Sequence, residues 1–478
     1  MTISHPSPVL LERLARRLGE RGFTTDAQAI APWLTDWRGR VTGRTAAMLS
    51  PATTDEVVDI VRWAGEEGVA IVPQGGNTSM VGGATPPADG HALLLSLRRM
   101  RAIRSVSAED NLLVAEAGVI LSDVHDAAEA VGRRFPLSLA AKGSATVGGL
   151  ISTNAGGTQV LRFGTMRALL LGIEAVLPDG QRIDGLAGLR KDNRGYDLRQ
   201  LLAGAEGTLG VITAAALRLV ALPAAQTTAW AGLATPGDAL ALLRRLEAAT
   251  GDAVESFELL PAEAVDLVLE HIPNSRAPLG EAHRWHALIE TATEAETVEQ
   301  SIADGIDAGE VEDAVIAASQ AQADSLWHLR ETVSEAERID GVAAKHDVSV
   351  PVAVMPGFLS EARLAVETAF PGARVLAFGH LGDGNIHFNV RGPADADSAR
   401  WFDANGDAVS RLVDDLIVAA GGSISAEHGI GQFKLAEFAR TADPARLSAL
   451  RAVKRALDPA GIMNPGKLVP LAPSDGPP

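Results

Sequence analysis

Apolar residues recur along this chain with two alternating periods. Leu10, Leu11, Leu14 and Leu18 follow Ser7-Pro8 at helical spacing, which predicts a helix capped by the serine hydroxyl with proline in its first turn. Val57, Ile60, Val61 and Ala64 repeat that spacing behind Thr53 and Glu56, the ends of a capping box. Val69 to Val72 then read as a short buried strand running into a glycine-rich loop, Pro73 to Gly83. Strands are predicted at Ala92 to Leu95 and Leu112 to Ala115, and a helix from Ser122 to Val131. Leu169 to Leu177 and Gln181 to Ile183 flank Pro178-Asp179-Gly180 as a hairpin. Near Leu222-Pro223 the glycine clusters stop and long Ala/Leu/Glu helices begin, such as Gly237 to Ala249 and Glu294 to Ala308. This pattern divides the chain into a helical segment (1–40), a glycine-rich α/β domain (41–222), a second domain (223–456) and a Gly/Pro-rich tail (457–478) that returns to the first, its last residues, Ser474 to Pro478, frayed.

The densest chemistry lies between Arg374 and Arg391. Val375 to Phe378 and Ile386 to Val390 are strand-like, and Leu381-Gly382-Asp383-Gly384 between them is a turn signal. A two-residue loop at Gly382-Asp383 places His387 opposite Phe378. His380, His387 and Asn389 then share one side of the ribbon. Two imidazoles and an amide beside a tight turn suit a metal or an oxyanion. Two hairpin histidines satisfied by backbone are the competing reading.

Composition narrows the alternatives. A hydrophobic fraction of 46% with 21% charged residues describes a globular chain, and 478 residues suffice for two or three cores. A formal net charge of −18 disfavours nucleic acid, and aromatics at 4% leave little for base stacking. With no cysteine, disulfides, thiolate catalysis and iron–sulfur clusters are ruled out, so any metal must be held by His, Asp or Glu. The N-terminus has no apolar core followed by a small-residue cleavage site, and no uncharged run could span a bilayer, so a cytoplasmic location is expected.

Three glycine clusters occupy the first half: Pro73 to Gly83, Gly143 to Gly157 and Gly204 to Gly210. Consecutive small residues let backbone N–H groups converge into a nest that binds phosphate. Three such nests suit a large diphosphate ligand better than one isolated phosphate, and the competing reading is that each cluster is only a turn. Neither a P-loop nor a G-x-G-x-x-G helix start is present.

These motifs resemble those of a known family. Pro73 to Gly83, Asn154-Ala155-Gly156-Gly157 and Gly204 to Thr213 look like the FAD-binding domain of the vanillyl-alcohol oxidase and p-cresol methylhydroxylase flavoproteins. Gly379 to His387 and Glu427-His428-Gly429-Ile430-Gly431 look like the metal and catalytic motifs of its D-2-hydroxyacid dehydrogenase branch. Leu189 to Leu198, with Pro73 to Thr78, is most similar to the D-2-hydroxyglutarate dehydrogenases within that branch. Ser79 stands where glycine is expected, Arg194 where a small polar residue is usual, and Ser334 where threonine is.

The resemblance implies an α+β fold: an FAD-binding domain plus an antiparallel-sheet cap with helices on one face. FAD is expected to be non-covalent, since no histidine lies in the first glycine loop. Its expected contacts are Pro73, Gly75, Gly76, Asn77, Thr78, Ser79, Gly82, Gly143, Ser144, Thr146, Gly148, Gly149, Asn154, Gly156, Gly157, Glu206, Gly207, Gly210, Ile212 and Asn464. His380, His387 and Glu427 are implied as ligands of a divalent metal, usually zinc, and His428 as the general base. Arg330, Ser334, Lys345 and Asn389 match the carboxylate-binding positions, with Arg330 and Ser334 four apart on one predicted helix. The implied reaction oxidises a D-2-hydroxy acid by hydride transfer to flavin N5, D-2-hydroxyglutarate to 2-oxoglutarate in the leading reading. Electrons then pass to an external acceptor: electron-transferring flavoprotein, a quinone or a cytochrome. D-lactate or D-malate is the nearest rival substrate. A non-catalytic flavin subunit and a metallohydrolase are the competing classes, and a homodimer is left open.

Overall fold

A computed structural model of the chain describes residues 3–471, so the frayed end expected at Ser474 to Pro478 lies outside the described residues. Two compact units emerge. One comprises Met1–Gly156, Thr165–Leu222 and Glu427–Pro478; the other comprises Gly157–Gly164 and Pro223–Ala426. The chain rejoins the first unit at Glu427, earlier than the 457 expected from the Gly/Pro-rich tail. The reason is a hydrogen-bonded loop. Ile430 and Gly431 donate their amides to the Glu206 carboxylate, both at 2.8 Å, and Gln432 donates its amide to the Val81 carbonyl.

In the first unit, helix α1 (Pro8–Gly22) is capped by Ser7, whose hydroxyl accepts from the Leu10 amide, and it buries Leu10, Leu14 and Leu18. Strands β1 (Phe23–Thr24), β2 (Met48–Leu49), β3 (Ile71–Gln74) and β4 (Leu93–Ser96) form a sheet in the order β1-β2-β4-β3. Its β2–β4 and β3–β4 pairs are parallel, with helix α2 (Thr54–Glu67) leading into β3. A second sheet is antiparallel, built from β5 (Ile103–Ser107), β6 (Leu112–Glu116), β7 (Leu170–Val176), β8 (Arg182–Asp184) and β9 (Val211–Arg218) in the order β5-β6-β9-β7-β8. Helix α3 (Val147–Thr153) sits in the middle of the second glycine cluster. The tail closes on this unit: Met463 bridges to Ile71 in parallel, and Asn464 donates its amide to the Ile71 carbonyl.

The second unit is built on one seven-stranded antiparallel sheet. Its strands are β10 (Thr227–Leu233), β11 (Val254–Pro261), β12 (Trp285–Thr291), β13 (Asp313–Ile316), β14 (Ala344–Ser349), β15 (Arg374–His380) and β16 (Asn385–Arg391). Their order is β13-β10-β12-β11-β15-β16-β14. Strict alternation sorts the side chains. Ala229, Phe257, Ile289, Ala377, Ile386, Phe388 and Val390 join one core. Helices α4 (Pro236–Thr250), α6 (Ala295–Asp307), α9 (Met355–Ala369) and α10 (Ser398–Ala419) cover it with Leu243, Ile302, Phe358 and Val413.

Trp230, Leu260, Leu288, Leu376 and Phe378 face the other way. They meet Val268 of α5 (Ala262–His271), Leu329 of α7 (Gln320–Glu331) and Val333 of α8 (Val333–Asp340). Helices therefore cover both faces of the sheet, where the pattern led us to expect one.

Candidate active site

The hairpin of β15 and β16 has the register expected of it. Phe378 pairs with His387 and His380 with Asn385, while Leu381 to Gly384 make the turn. His380 and His387 consequently lie diagonally on one side, with ring centroids 5.7 Å apart. Asn385, Asn389 and Arg391 continue that side along β16, opposite the buried Ile386, Phe388 and Val390.

The segment ending at Ala426 is tied to the edge of this sheet. Ser349 and Ser423 exchange backbone hydrogen bonds, and the Ala426 amide donates to the Asp347 carbonyl. Glu427 follows directly by a peptide bond. Ligand atoms of His380, His387 and Glu427 all lie within 4.8 Å of one another, and so do those of Asp347, Glu427 and His428. Glu427 and His428 are in irregular backbone, as two neighbouring residues must be to serve one site. Two imidazoles and a carboxylate suit a divalent ion such as zinc and leave positions for further ligands.

Glu258, on β11, was not singled out by the sequence pattern. It faces His380 in the β11–β15 register, and its carboxylate accepts from His380 Nδ1 at 2.5 Å and from Arg330 Nε at 2.7 Å. Burial alone would push the Glu258 carboxyl up; Arg330 and His380 outweigh it and hold the group well below the usual carboxylate range. A carboxylate on one ring nitrogen orients the other toward a metal, so this donor set fits the ion that the resemblance implies.

Of the expected carboxylate-binding residues, Arg330 is buried near the end of α7, with its guanidinium 5.1 Å from the Phe378 ring centroid. Ser334 is exposed and lies on α8, not on the same helix, because the chain breaks at Thr332 between α7 and α8. That corrects the single helix expected there. Lys345 and Asn389 are paired across β14 and β16 and converge on a residue the pattern also missed, Glu337 of α8. The fully buried Glu337 carboxylate sits 2.7 Å from Lys345 Nζ and accepts from Asn389 Nδ2 at 2.9 Å. Its second oxygen is buried and has no hydrogen-bond partner among the described residues. An acid in the apolar run Val254–Pro261, or on the inner side of α8 beside Val333 and Ala336, is the only signal the sequence offered.

His286 lies elsewhere on the sheet, His283 just before its strand begins, and both serve packing. His286 Nδ1 accepts from Trp230 Nε1, and His283 pairs with Glu312.

The glycine clusters of the first unit meet each other. A Cβ on Gly76 would come 1.9 Å from the Ser144 carbonyl oxygen, one on Gly75 2.2 Å from Thr146 Oγ1, and one on Gly207 3.2 Å from Pro73. Gly148 lies equally close to Ala117 and Gly210 to the Val176 carbonyl, whereas Gly143 has open space and Gly149 only Thr146 nearby. Asn77 donates to the Thr35 carbonyl, Ser79 Oγ accepts from the Gly83 amide, and Gly82 abuts Gln432. Asn154 caps α3 in the left-handed region, and its side chain accepts from Thr165 and Arg167. Ile212 is buried in β9, and Gly157 belongs to the second unit.

Glu206 and Asn464 knit these loops together. Asn464 Nδ2 donates to the carbonyls of Gly83 and Glu206, and burial pushes the Glu206 carboxyl up despite its two amide donors. Among the described residues, Thr146 Oγ1 and Asn464 Oδ1 are buried without hydrogen-bond partners, beside loops where Gly75 and Gly76 leave no room for a Cβ. Orphaned buried polar atoms beside closely packed glycine loops fit a large polar cofactor.

Comparisons with known proteins give the family. Residues 45–185 match the family described as "FAD binding domain", and residues 222–468 the family described as "FAD linked oxidases, C-terminal domain". The mitochondrial D-2-hydroxyglutarate dehydrogenase of Bos taurus is 38% identical over 93% of this chain and 81% of its own length. The D-2-hydroxyglutarate dehydrogenase of Xanthomonas citri pv. viticola is 38% identical, with 91% of each chain covered. The crystal structure of p-cresol methylhydroxylase with substrate bound superposes with a TM-score of 0.75 at 15% identity, covering 96% of this chain and 95% of its own. The expected cytoplasmic location is overturned, since the bovine relative is named as mitochondrial. Among the described residues, no helix is long and apolar enough to cross a membrane.

Proposed function

Because this chain belongs to the FAD-linked oxidase family and is an FAD-dependent D-2-hydroxyacid dehydrogenase, we propose that it oxidises D-2-hydroxyglutarate to 2-oxoglutarate with the help of a divalent metal. The observation that carries this reading is the grouping of Glu427 with His380 and His387, the two histidines lying on a sheet that also bears Lys345 and Asn389, with Arg330 packed against Phe378 of the same sheet. FAD, when bound, would take up the hydride from C2 and with it both electrons of the oxidation, and a metal at the three ligands would supply a Lewis acid for the 2-hydroxyl.

The chain's own groups do the rest. Arg330 offers its planar fork to the carboxylate next to C2. A ring nitrogen of His428, next to Glu427, takes the hydroxyl proton as general base. Lys345 and Asn389 receive the distal carboxylate of a dicarboxylic substrate, with Ser334 near the helix break contributing a hydroxyl. The glycine loops, Glu206 and Asn464 hold the cofactor. Electrons leave to an external acceptor, for which a flavoprotein, a quinone or a cytochrome would serve.

One observation favours a second reading. The Lys345 ammonium is already matched by the buried Glu337 carboxylate, which weakens its pull on a second substrate carboxylate. A shorter acid such as D-lactate or D-malate would not need that pull. Dye-linked assays on D-2-hydroxyglutarate, D-malate and D-lactate, run before and after chelation and again after zinc is restored, test both. The proposal expects the highest kcat/KM with D-2-hydroxyglutarate and loss of rate on chelation. A preference for D-lactate overturns the substrate, and a rate indifferent to chelation overturns the metal.

A further inference from the structure

We infer that Glu258 is a positioning residue that aligns the metal ligand His380 and the substrate anchor Arg330 from a single carboxylate, an inference that rests on the function proposed above. The two groups come from distant parts of the chain: Arg330 lies 72 residues from Glu258 in sequence and His380 lies 122 away. One oxygen of the fully buried carboxylate accepts from His380 Nδ1 at 2.5 Å, and from Ser256 Oγ at 3.3 Å; the other accepts from Arg330 Nε at 2.7 Å.

Each bond has a consequence at its far end. Holding the proton on Nδ1 of His380 selects the tautomer whose Nε2 carries the lone pair a metal needs, and stops the ring from turning. Engaging Arg330 through Nε leaves the end-on pair of terminal nitrogens, which also matches a carboxylate, available to the substrate. Phe378 closes the ring of contacts: the Arg330 guanidinium lies 5.1 Å from its centroid, and His387, the second proposed ligand, packs 5.1 Å from it on the same side of the hairpin. A buried carboxylate survives away from water only with partners such as these. The distance between metal and substrate carboxylate is thus set by one side chain. In a chelating 2-hydroxy acid that distance decides whether the hydroxyl and the carboxylate can both be bound.

Glu258→Gln is the test. The amide has one acceptor oxygen, and its NH2 end turns a donor toward a donor, so both partners cannot be kept. Zn2+ affinity would be measured by competition with a chromogenic chelator, with the flavin spectrum and thermal melting as folding controls. Relative to the parent, the zinc dissociation constant is expected to rise about 10–100-fold. Saturating zinc should restore kcat, while KM for D-2-hydroxyglutarate stays raised about tenfold because Arg330 is no longer held. A purely structural role would lower melting and flavin content and leave zinc affinity per folded molecule alone.

Zinc affinity and KM equal to the parent's in a folded Glu258→Gln protein overturn the inference and leave the proposed function standing. A parent chain that binds no zinc removes the proposed metal site and this inference with it. Should Glu258→Gln fail to fold, Glu258→Asp, which keeps the charge but withdraws it by one methylene, is expected to bind zinc more weakly than the parent, and equal affinity there overturns the inference.

Discussion

Phe378 lies directly opposite His387 across the β15–β16 hairpin, and its ring also sits beneath the Arg330 guanidinium. A single apolar side chain thereby touches a proposed metal ligand and a proposed substrate anchor. Phe378→Leu should keep the core filled in part but lose the cation–π contact. We expect a loss of about 1–3 kcal/mol in stability and a KM for the hydroxy acid raised several-fold, with flavin content unchanged. Thermal melting and steady-state kinetics check this, and an unaltered KM would detach Phe378 from substrate binding.

The buried Glu337 carboxylate holds Lys345 and Asn389 together and has one oxygen to spare. Glu337→Gln keeps the shape and removes the charge. If these groups receive the distal carboxylate, KM for D-2-hydroxyglutarate should change about tenfold while KM for D-lactate stays within about twofold. Equal changes for the two acids would assign the cluster to folding alone.

His286 is buried against Trp230, and burial, helped by the nearby His283, pushes its imidazole down to about 4. The folded state therefore releases a proton that the unfolded chain keeps between about pH 6.5 and about pH 4. Its contribution to stability is level above pH 6.5 and falls as pH drops through that window, by about 3 kcal/mol in all. His286→Gln, which can still accept from the indole, should melt with a shallower decline across the same window. Parallel declines in parent and variant would show that His286 does not titrate there.

Gly76 faces the Ser144 carbonyl oxygen so closely that a Cβ would come 1.9 Å from it, and that atom is backbone and cannot swing away. Gly76→Ala should push two of the glycine loops apart. The purified protein is expected to lose most of its yellow flavin absorbance and about 1–3 kcal/mol of stability. Full flavin occupancy would mean that the loops do not form the cradle.

Much of the hairpin was legible because period-two alternation and an Asp-Gly turn fix register without reference to the rest of the chain. The sequence alone places His380 and His387 on one side, and the capped helices at Ser7 and Thr53 follow from equally local rules. Glu258 and Glu337 were not legible. Their meaning lies in partners brought close by the order of strands in the sheet, which no local spacing encodes. The break at Thr332 was hidden for a related reason. The residues on either side of it are acceptable helix formers, and tertiary packing of Leu329 and Val333 decides where one helix ends and the next begins. The glycine loops announced close approach correctly but not against what: several of them make room for one another as much as for a ligand.

The central claim is that this chain draws electrons from the D-enantiomer of a 2-hydroxy dicarboxylic acid. The most direct measurement is the absorbance of the bound flavin under nitrogen as D-2-hydroxyglutarate, and separately L-2-hydroxyglutarate, is added. We predict stoichiometric bleaching of the oxidised flavin band by the D-acid and none by the L-acid. A flavin that stays oxidised in excess D-2-hydroxyglutarate, with zinc present, would contradict the account.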